Sequence, residues 1–314
     1  MTDPVLLICI ADDEMDLPGY GDVTDAFPEG PDDERSALTR KPRHASELPK
    51  MAPPASDCYQ MNRARQGTAI IFNNKKFDPR TGFGERKGTD KDAQNLYSLL
   101  TEMGFTTVLR NDCSTGDMIS TLEKVARDDH NDADCFVCAI LSHGEEGTVY
   151  GYDGSVAVER LVTPLKGNKC LSLAGKPKIF IIQACRGGKL DEGQDMEVPD
   201  AIGVGPMEPD AMEVEEPVIR RIPAEADFLM AYSVVSGFYA WRNMDEGSWF
   251  VQAVCKVLRE NWKRMDLLTM MTRVCRMVAF DFESCHKQAA MSGKKQVPCI
   301  TSMLTRDVYF SPKK

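Results

Sequence analysis

No apolar run in this chain approaches the roughly 18–20 residues that a membrane span needs. The short run Val5 to Ile10 has no basic residue before it and leads into Asp12-Asp13-Glu14, which argues against a signal peptide. Histidine is scarce, with only four among 314 residues: His44, His130, His143 and His286. Cys135-x-x-Cys138 has no second such pair to complete a zinc site, and inside a strand its two members would face opposite sides. No metal or cofactor is expected. No internal repeat is found. Two tracts lack Lys and Arg altogether: residues 12–34 hold ten acids, and residues 191–216 hold ten more. Setting those twenty aside leaves 28 acids against all 38 bases, so the net charge of −10 hides a body that is net +10. Such a body could bind nucleic acid non-specifically or take an acidic substrate. The site residues below favour the acidic substrate, and neither nucleic acid nor membrane is expected as a partner.

The cysteines number eleven, an odd count, and most sit singly in apolar segments such as those around Cys255 and Cys275. That pattern fits a reduced, cytoplasmic protein in which most of them act as small core hydrophobes. With 42% hydrophobic residues the chain is long enough for a sizeable core.

Residues 1–60 are rich in Pro, Asp, Glu and Ser without apolar periodicity, and read as disordered or loosely attached. Alternating patterns follow. Gly67–Asn73, Thr106–Leu109, Cys135–Leu141 and Lys178–Ile182 read as strands. Between them, Thr89 is expected to cap a helix that Gly104 ends. Ser114-Thr115 opens another, with Met118, Ile119, Leu122 and Val125 inward. After a long segment without periodicity come a strand at Asp227–Val234, helices at Ser248–Trp262 and Leu267–Phe282, and a late strand at Val297–Leu304. Strand–helix alternation predicts an α/β fold with a mostly parallel central sheet and helices on both faces.

Ile181-Ile182-Gln183-Ala184-Cys185-Arg186-Gly187 places a cysteine where a core strand runs out into a loop. A thiol becomes a nucleophile only with a base or cation beside it. His44 lies in the leader, His130 in a polar run that reads as a solvated turn, and His286 in another polar run. His143 alone emerges directly from an apolar strand, with Gly144 after it. In a mostly parallel sheet two such strand ends share one edge, so His143 and Cys185 are predicted to face one cleft. The amides of Gly144 and Cys185 are candidates for an oxyanion hole.

Several separate stretches then agree: Arg86-Lys87-Gly88-Thr89-Asp90, Ser142-His143-Gly144-Glu145, Lys176 through Gly187, Ala226-Asp227-Phe228-Leu229 and Gly247-Ser248-Trp249-Phe250. From about Tyr59 to Phe310 the chain resembles a caspase, on the executioner side of that family. The resemblance implies a caspase-like sheet built from a large and a small subunit, and a cysteine endopeptidase that cuts after aspartate. It implies that Arg86, Gln183 and Arg242 grip the aspartate, that Tyr239 and Trp241 line the next pocket, and that Asn243 and Trp249 belong to the pocket for the residue four back. A backbone carbonyl stands in for a third triad member. Cys285 and Met291 replace phenylalanines frequent in the outer pockets of executioner members. No long recruitment domain is seen before residue 60, which argues against an initiator.

The resemblance also implies a zymogen cut after aspartate, with candidate sites at Asp25, Asp200 and Asp210, each before an alanine. The parts would be an acidic propeptide 1–25, a flexible segment 26–60, a large subunit 61–200, a linker 201–210 and a small subunit 211–314. Implied partners are protein substrates, a second copy pairing through the last strand, upstream initiator caspases and inhibitor-of-apoptosis proteins. The competing expectation is a catalytically silent homologue that acts by binding; the intact Cys185, His143 and arginine set speak against it.

Overall fold

The computed structural model describes residues 56–193, 223–285 and 289–313. The chain divides into Met1–Arg43 and His44–Lys314, and the description concerns the second unit. Its elements run β1 (Arg65–Asn73), α1 (Thr89–Glu102), β2 (Thr106–Asn111), α2 (Thr115–Arg127), β3 (Ala133–Leu141), β4 (Gly144–Glu145), β5 (Thr148–Tyr150), β6 (Ser155–Ala157) and α3 (Val158–Val162). Then come β7 (Lys178–Gln183), β8 (Phe228–Tyr232), β9 (Arg242–Asn243), β10 (Gly247–Ser248), α4 (Trp249–Asn261), α5 (Leu267–Asp281) and β11 (Cys299–Ser302).

Six strands form the main sheet in the order β11-β8-β7-β3-β1-β2, all parallel except the β11–β8 pair. Every residue of β3 and β7 is buried. That is the signature of parallel strands covered on both faces, and it explains why they read as unbroken apolar runs. Alternate side chains feed two separate cores. Ile179 and Ile181 join Leu96, Phe250 and Val274 from α1, α4 and α5. Phe180 and Ile182 join Met118, Leu122 and Leu161 from α2 and α3. Cys135 and Cys138 fall in opposite cores, as the strand period requires. The cysteines of the described residues are all free thiols, and five of them are buried.

Three local readings need correction. Thr89 does not cap α1: Gly88 takes the cap position at φ 85°, and the Thr89 hydroxyl is used on Arg86. Ser114 does cap α2, in a reciprocal box with Asp117. His130 is not solvated. It is buried, with Nε2 2.7 Å from the Val125 carbonyl oxygen, although its neighbours Asp129 and Asn131 are exposed. The strand expected from Asp227 begins at Phe228, because Asp227 adopts a left-handed φ of 70° that no strand accommodates. Its carboxylate accepts from Tyr59 Oη at 2.6 Å and Thr305 Oγ1 at 2.9 Å, which holds it there.

Candidate active site

The β3–β7 register pairs Leu141 with Gln183, and Ser142 N donates to the Gln183 carbonyl at 3.0 Å. His143 and Cys185 each lie two residues beyond that pair, so the register alone brings them to the same level of adjacent strands at one sheet edge. Gly144 is the spacer between them. A Cβ there would stand 2.8 Å from Ala184 Cβ, 2.8 Å from the Thr148 oxygen and 3.0 Å from the Cys185 oxygen. Any side chain at this position would therefore push the two loop starts apart.

The His143 ring is held by aromatic rings from the β1–α1 loop. Phe83 stacks on it at a centroid distance of 4.5 Å and 16°, and Phe77 tilts against it at 4.8 Å. Its Nε2 lies 3.2 Å from the Gly84 carbonyl oxygen. A carbonyl only accepts, so this bond requires the proton on Nε2 and leaves the Nδ1 lone pair free to take a proton. The Gly84 carbonyl stands where the resemblance implies a backbone partner for the ring. Burial lowers the imidazole pKa to about 4; the Gly84 bond opposes it, and the Arg86 and Arg242 charges add smaller downward pushes. Burial also raises the Cys185 thiol, with partial relief from Ala240 and the two arginines. The Cys185 sulfur is 4.0 Å from the Ala240 oxygen. The substrate-free site therefore holds a neutral thiol and a neutral imidazole. The neighbouring amides are committed, Ala184 N to Ser233 Oγ at 3.3 Å and Arg186 N to the Phe238 oxygen at 3.0 Å. Between them the Cys185 amide has no partner among the described residues.

Two arginine charges, Arg86 and Arg242, reach the thiol. Arg86 is fully buried; its Nη1 donates to the Asn74 oxygen at 3.1 Å and to Thr89 Oγ1 at 2.8 Å. Among the described residues its Nε and Nη2 have no partner, nor does the buried Oε1 of Gln183. Arg242 donates from Nε to the Lys87 oxygen at 2.8 Å. Among the described residues neither arginine has an ion pair. Burial first, then the Arg242 charge, pulls the Arg86 pKa down, and burial lowers that of Arg242. By contrast Arg186, next to the thiol in sequence, is turned to another task. It pairs with Glu146 at 2.6 Å and lies 4.2 Å over the Tyr232 ring.

Aromatic residues continue from the pocket as a stack. Tyr239, 41% exposed, meets Trp241 at 5.4 Å; Trp241 stacks on Trp249 at 5.8 Å, and Trp249 on Phe282 at 5.5 Å. The Asn243 side chain accepts from the amides of Asp245 and Glu246 at 2.8 and 3.0 Å, shaping the β9–β10 turn. Cys285 is exposed and Met291 half-buried. Asp25, Asp200 and Asp210 lie outside the described residues, as does His286. Sequence reasoning missed Phe77, Phe83 and Asp92. The two phenylalanines were the available signal, being apolar residues in an otherwise polar loop.

A family model for the caspase domain matches residues 66–309. The chain is 47% identical over 252 residues to caspase-7 of Gallus gallus, covering 80% of this chain and 79% of that one. It is 41% identical over 254 residues to caspase-3 of Bos taurus, covering 81% and 88%. The crystal structure of caspase-1 from Spodoptera frugiperda superposes with a TM-score of 0.77 at 39% identity, over 85% of this chain and 98% of that one. Family, neighbours and sheet agree with what the motifs implied, and the chain belongs to the caspases, cysteine-type endopeptidases, on their executioner branch.

Proposed function

We propose that the chemistry runs through Cys185, His143 and Gly144, with Arg86, Gln183 and Arg242 selecting aspartate before the cut. The observation that carries this reading is the set of buried, unpartnered donors on Arg86 beside Arg242, with no ion pair to either arginine among the described residues. A substrate carboxylate would satisfy them bidentately, and its own burial would cost little only there. The Cys185 thiol passes its proton to His143 as the sulfur attacks the carbonyl carbon. The amides of Gly144 and Cys185 receive the oxyanion, and His143 returns the proton to the leaving amine. Water then hydrolyses the thioester, with His143 again as base. Tyr239 and Trp241 would line the pocket for the residue before the aspartate; Asn243 and Trp249 would meet the one four back.

A peptide library varied at the residue before the cut tests this. Aspartate is expected to exceed asparagine by about 10³-fold or more in kcat/KM, because an uncharged amide strands both guanidinium groups. Equal cleavage after asparagine and aspartate would sink the reading.

The proposal extends to processing: a cut after Asp25 removes 1–25, and cuts after Asp200 and then Asp210 separate the large subunit 61–200, still carrying the segment 26–60, from the small subunit 211–314. The chain leaving Cys185 supports it. Lys189 bridges to Phe238, Asp191 to Lys295, and Glu192 pairs with Lys294, so the chain is anchored on both sides as far as Glu192 before it runs on towards Asp200. Intact mass of the active enzyme should show the separate subunits; full activity from a chain uncut between Cys185 and Phe228 would refute it. Dimeric assembly belongs to the family; its proposed seam here is β11, which among the described residues is an edge strand bonded only to β8. Initiator caspases as activators, inhibitor-of-apoptosis proteins as ligands and a cytoplasmic location complete the proposal.

A further inference from the structure

Arg242 does not sit on the main sheet. It is carried by a two-residue strand, β9, paired only with the two residues of β10: Ser248 opposite Arg242 and Gly247 opposite Asn243. So short a ribbon is not stable alone, and something must hold it at a fixed distance from Arg86. The hairpin rests on the start of α1. Arg242 Nε reaches the Lys87 carbonyl, and Gly88 lies so close that a Cβ there would be 2.5 Å from the Asn243 oxygen.

The side chain that fastens it is Asp92, on the first turn of α1 and wholly buried. Its Oδ1 accepts from Ser248 N at 2.8 Å and its Oδ2 from Ser248 Oγ at 2.5 Å. Gly247, at φ 92°, leaves it room: a Cβ there would lie 2.2 Å from Asp92 Oδ1. The same carboxylate supplies negative charge felt by both Arg86 and Arg242, without an ion pair to either. Two guanidinium groups are thus tolerated side by side while their donors stay free for a ligand.

We propose that Asp92 is a positioning residue for the aspartate pocket: through Ser248 it fixes the Arg242 hairpin to α1 and so sets the spacing between Arg242 and Arg86. The inference rests on the pocket assignment proposed above. Geometry and charge are separable. Asp92→Ala removes both bonds. Asp92→Asn keeps the shape, with Oδ1 accepting from Ser248 N and the amide donating to Ser248 Oγ, and removes only the charge.

The test is steady-state kinetics on the processed full-chain enzyme, normalised by active-site titration, with peptides carrying aspartate or glutamate before the cut. Asp92→Ala is expected to raise KM for the aspartyl peptide about tenfold and to narrow the aspartate-over-glutamate preference by a similar factor. Asp92→Asn should restore KM to the wild-type value or below it, since the pocket is then more positive. A purely structural Asp92 would lower the titrated fraction while leaving KM and the preference unchanged, and that result would overturn the proposal. Should Asp92→Ala yield no folded enzyme, Ser248→Ala, which loses only the hydroxyl bond, is expected to raise KM about threefold; an unchanged KM would overturn it equally. Arg86→Ala in the same assay keeps the two readings apart. If it leaves aspartate selectivity intact, the pocket assignment fails; if it abolishes selectivity while Asp92→Ala does not alter it, only the role of Asp92 fails.

Discussion

Cys185→Ala is expected to lower hydrolysis of an aspartyl peptide on the order of 10⁵-fold while leaving peptide binding in place. His143→Ala should cost nearly as much, and the double variant little more, because attack needs the sulfur and its proton acceptor together. The state of the resting pair makes a sharper expectation. With the thiol raised by burial and the imidazole lowered to about 4, neither group is charged at neutral pH before substrate arrives. The signs agree: a raised thiol pKa removes thiolate from the physiological range, and a depressed imidazole pKa keeps His143 neutral everywhere above it. Alkylation of the free enzyme by iodoacetamide should therefore climb about tenfold per pH unit from pH 6 to 8. A rate already flat above pH 6 would mean a preformed thiolate–imidazolium pair, and proton transfer would not then accompany attack.

The sheet was legible because its central strands are buried on both faces. Such strands must be apolar throughout, so Cys135–Leu141 and Lys178–Ile182 stood out, and their parallel pairing brought His143 and Cys185 together without further information. What could not be read were contacts in which a backbone atom or a single tucked side chain decides. The Gly84 carbonyl that fixes the His143 tautomer has no letter of its own. Thr89 looked like a helix cap because threonine commonly is one, yet the glycine before it takes the cap and frees the hydroxyl for Arg86. His130 sits among exposed acids and still turns inward, where Val125 offers an acceptor. Asp92 resembled any first-turn acid favoured by the helix dipole; only the fold, by laying Ser248 against it across 156 positions of sequence, shows a second task. The small sheets of β4–β5–β6 and β9–β10 escaped for a related reason. Strands of two or three residues carry no period.

Arg86→Met offers the other large effect, and its two readouts should move in opposite directions. Arg86 is fully buried, its Nε and Nη2 are unpartnered, and a second guanidinium stands near. Each buried unpartnered donor costs about 1–3 kcal/mol in the free enzyme, a cost a bound carboxylate would relieve. Removing the guanidinium takes away one charge-assisted bidentate partner, expected to be about 4 kcal/mol, or roughly a thousandfold in kcat/KM for an aspartyl peptide. Methionine keeps most of the side-chain volume, so the core should not collapse. The bonds to Asn74 and Thr89 are lost, but so is the burial of a charge without an ion pair. The substrate-free variant should therefore unfold at the same temperature as the parent or a higher one, as expected where a site is kept strained for its ligand. An arginine present for structure behaves the other way: its loss lowers the unfolding temperature and touches catalysis only in proportion to the enzyme that fails to fold. Thermal unfolding and kcat/KM measured on one preparation of Arg86→Met decide between the two.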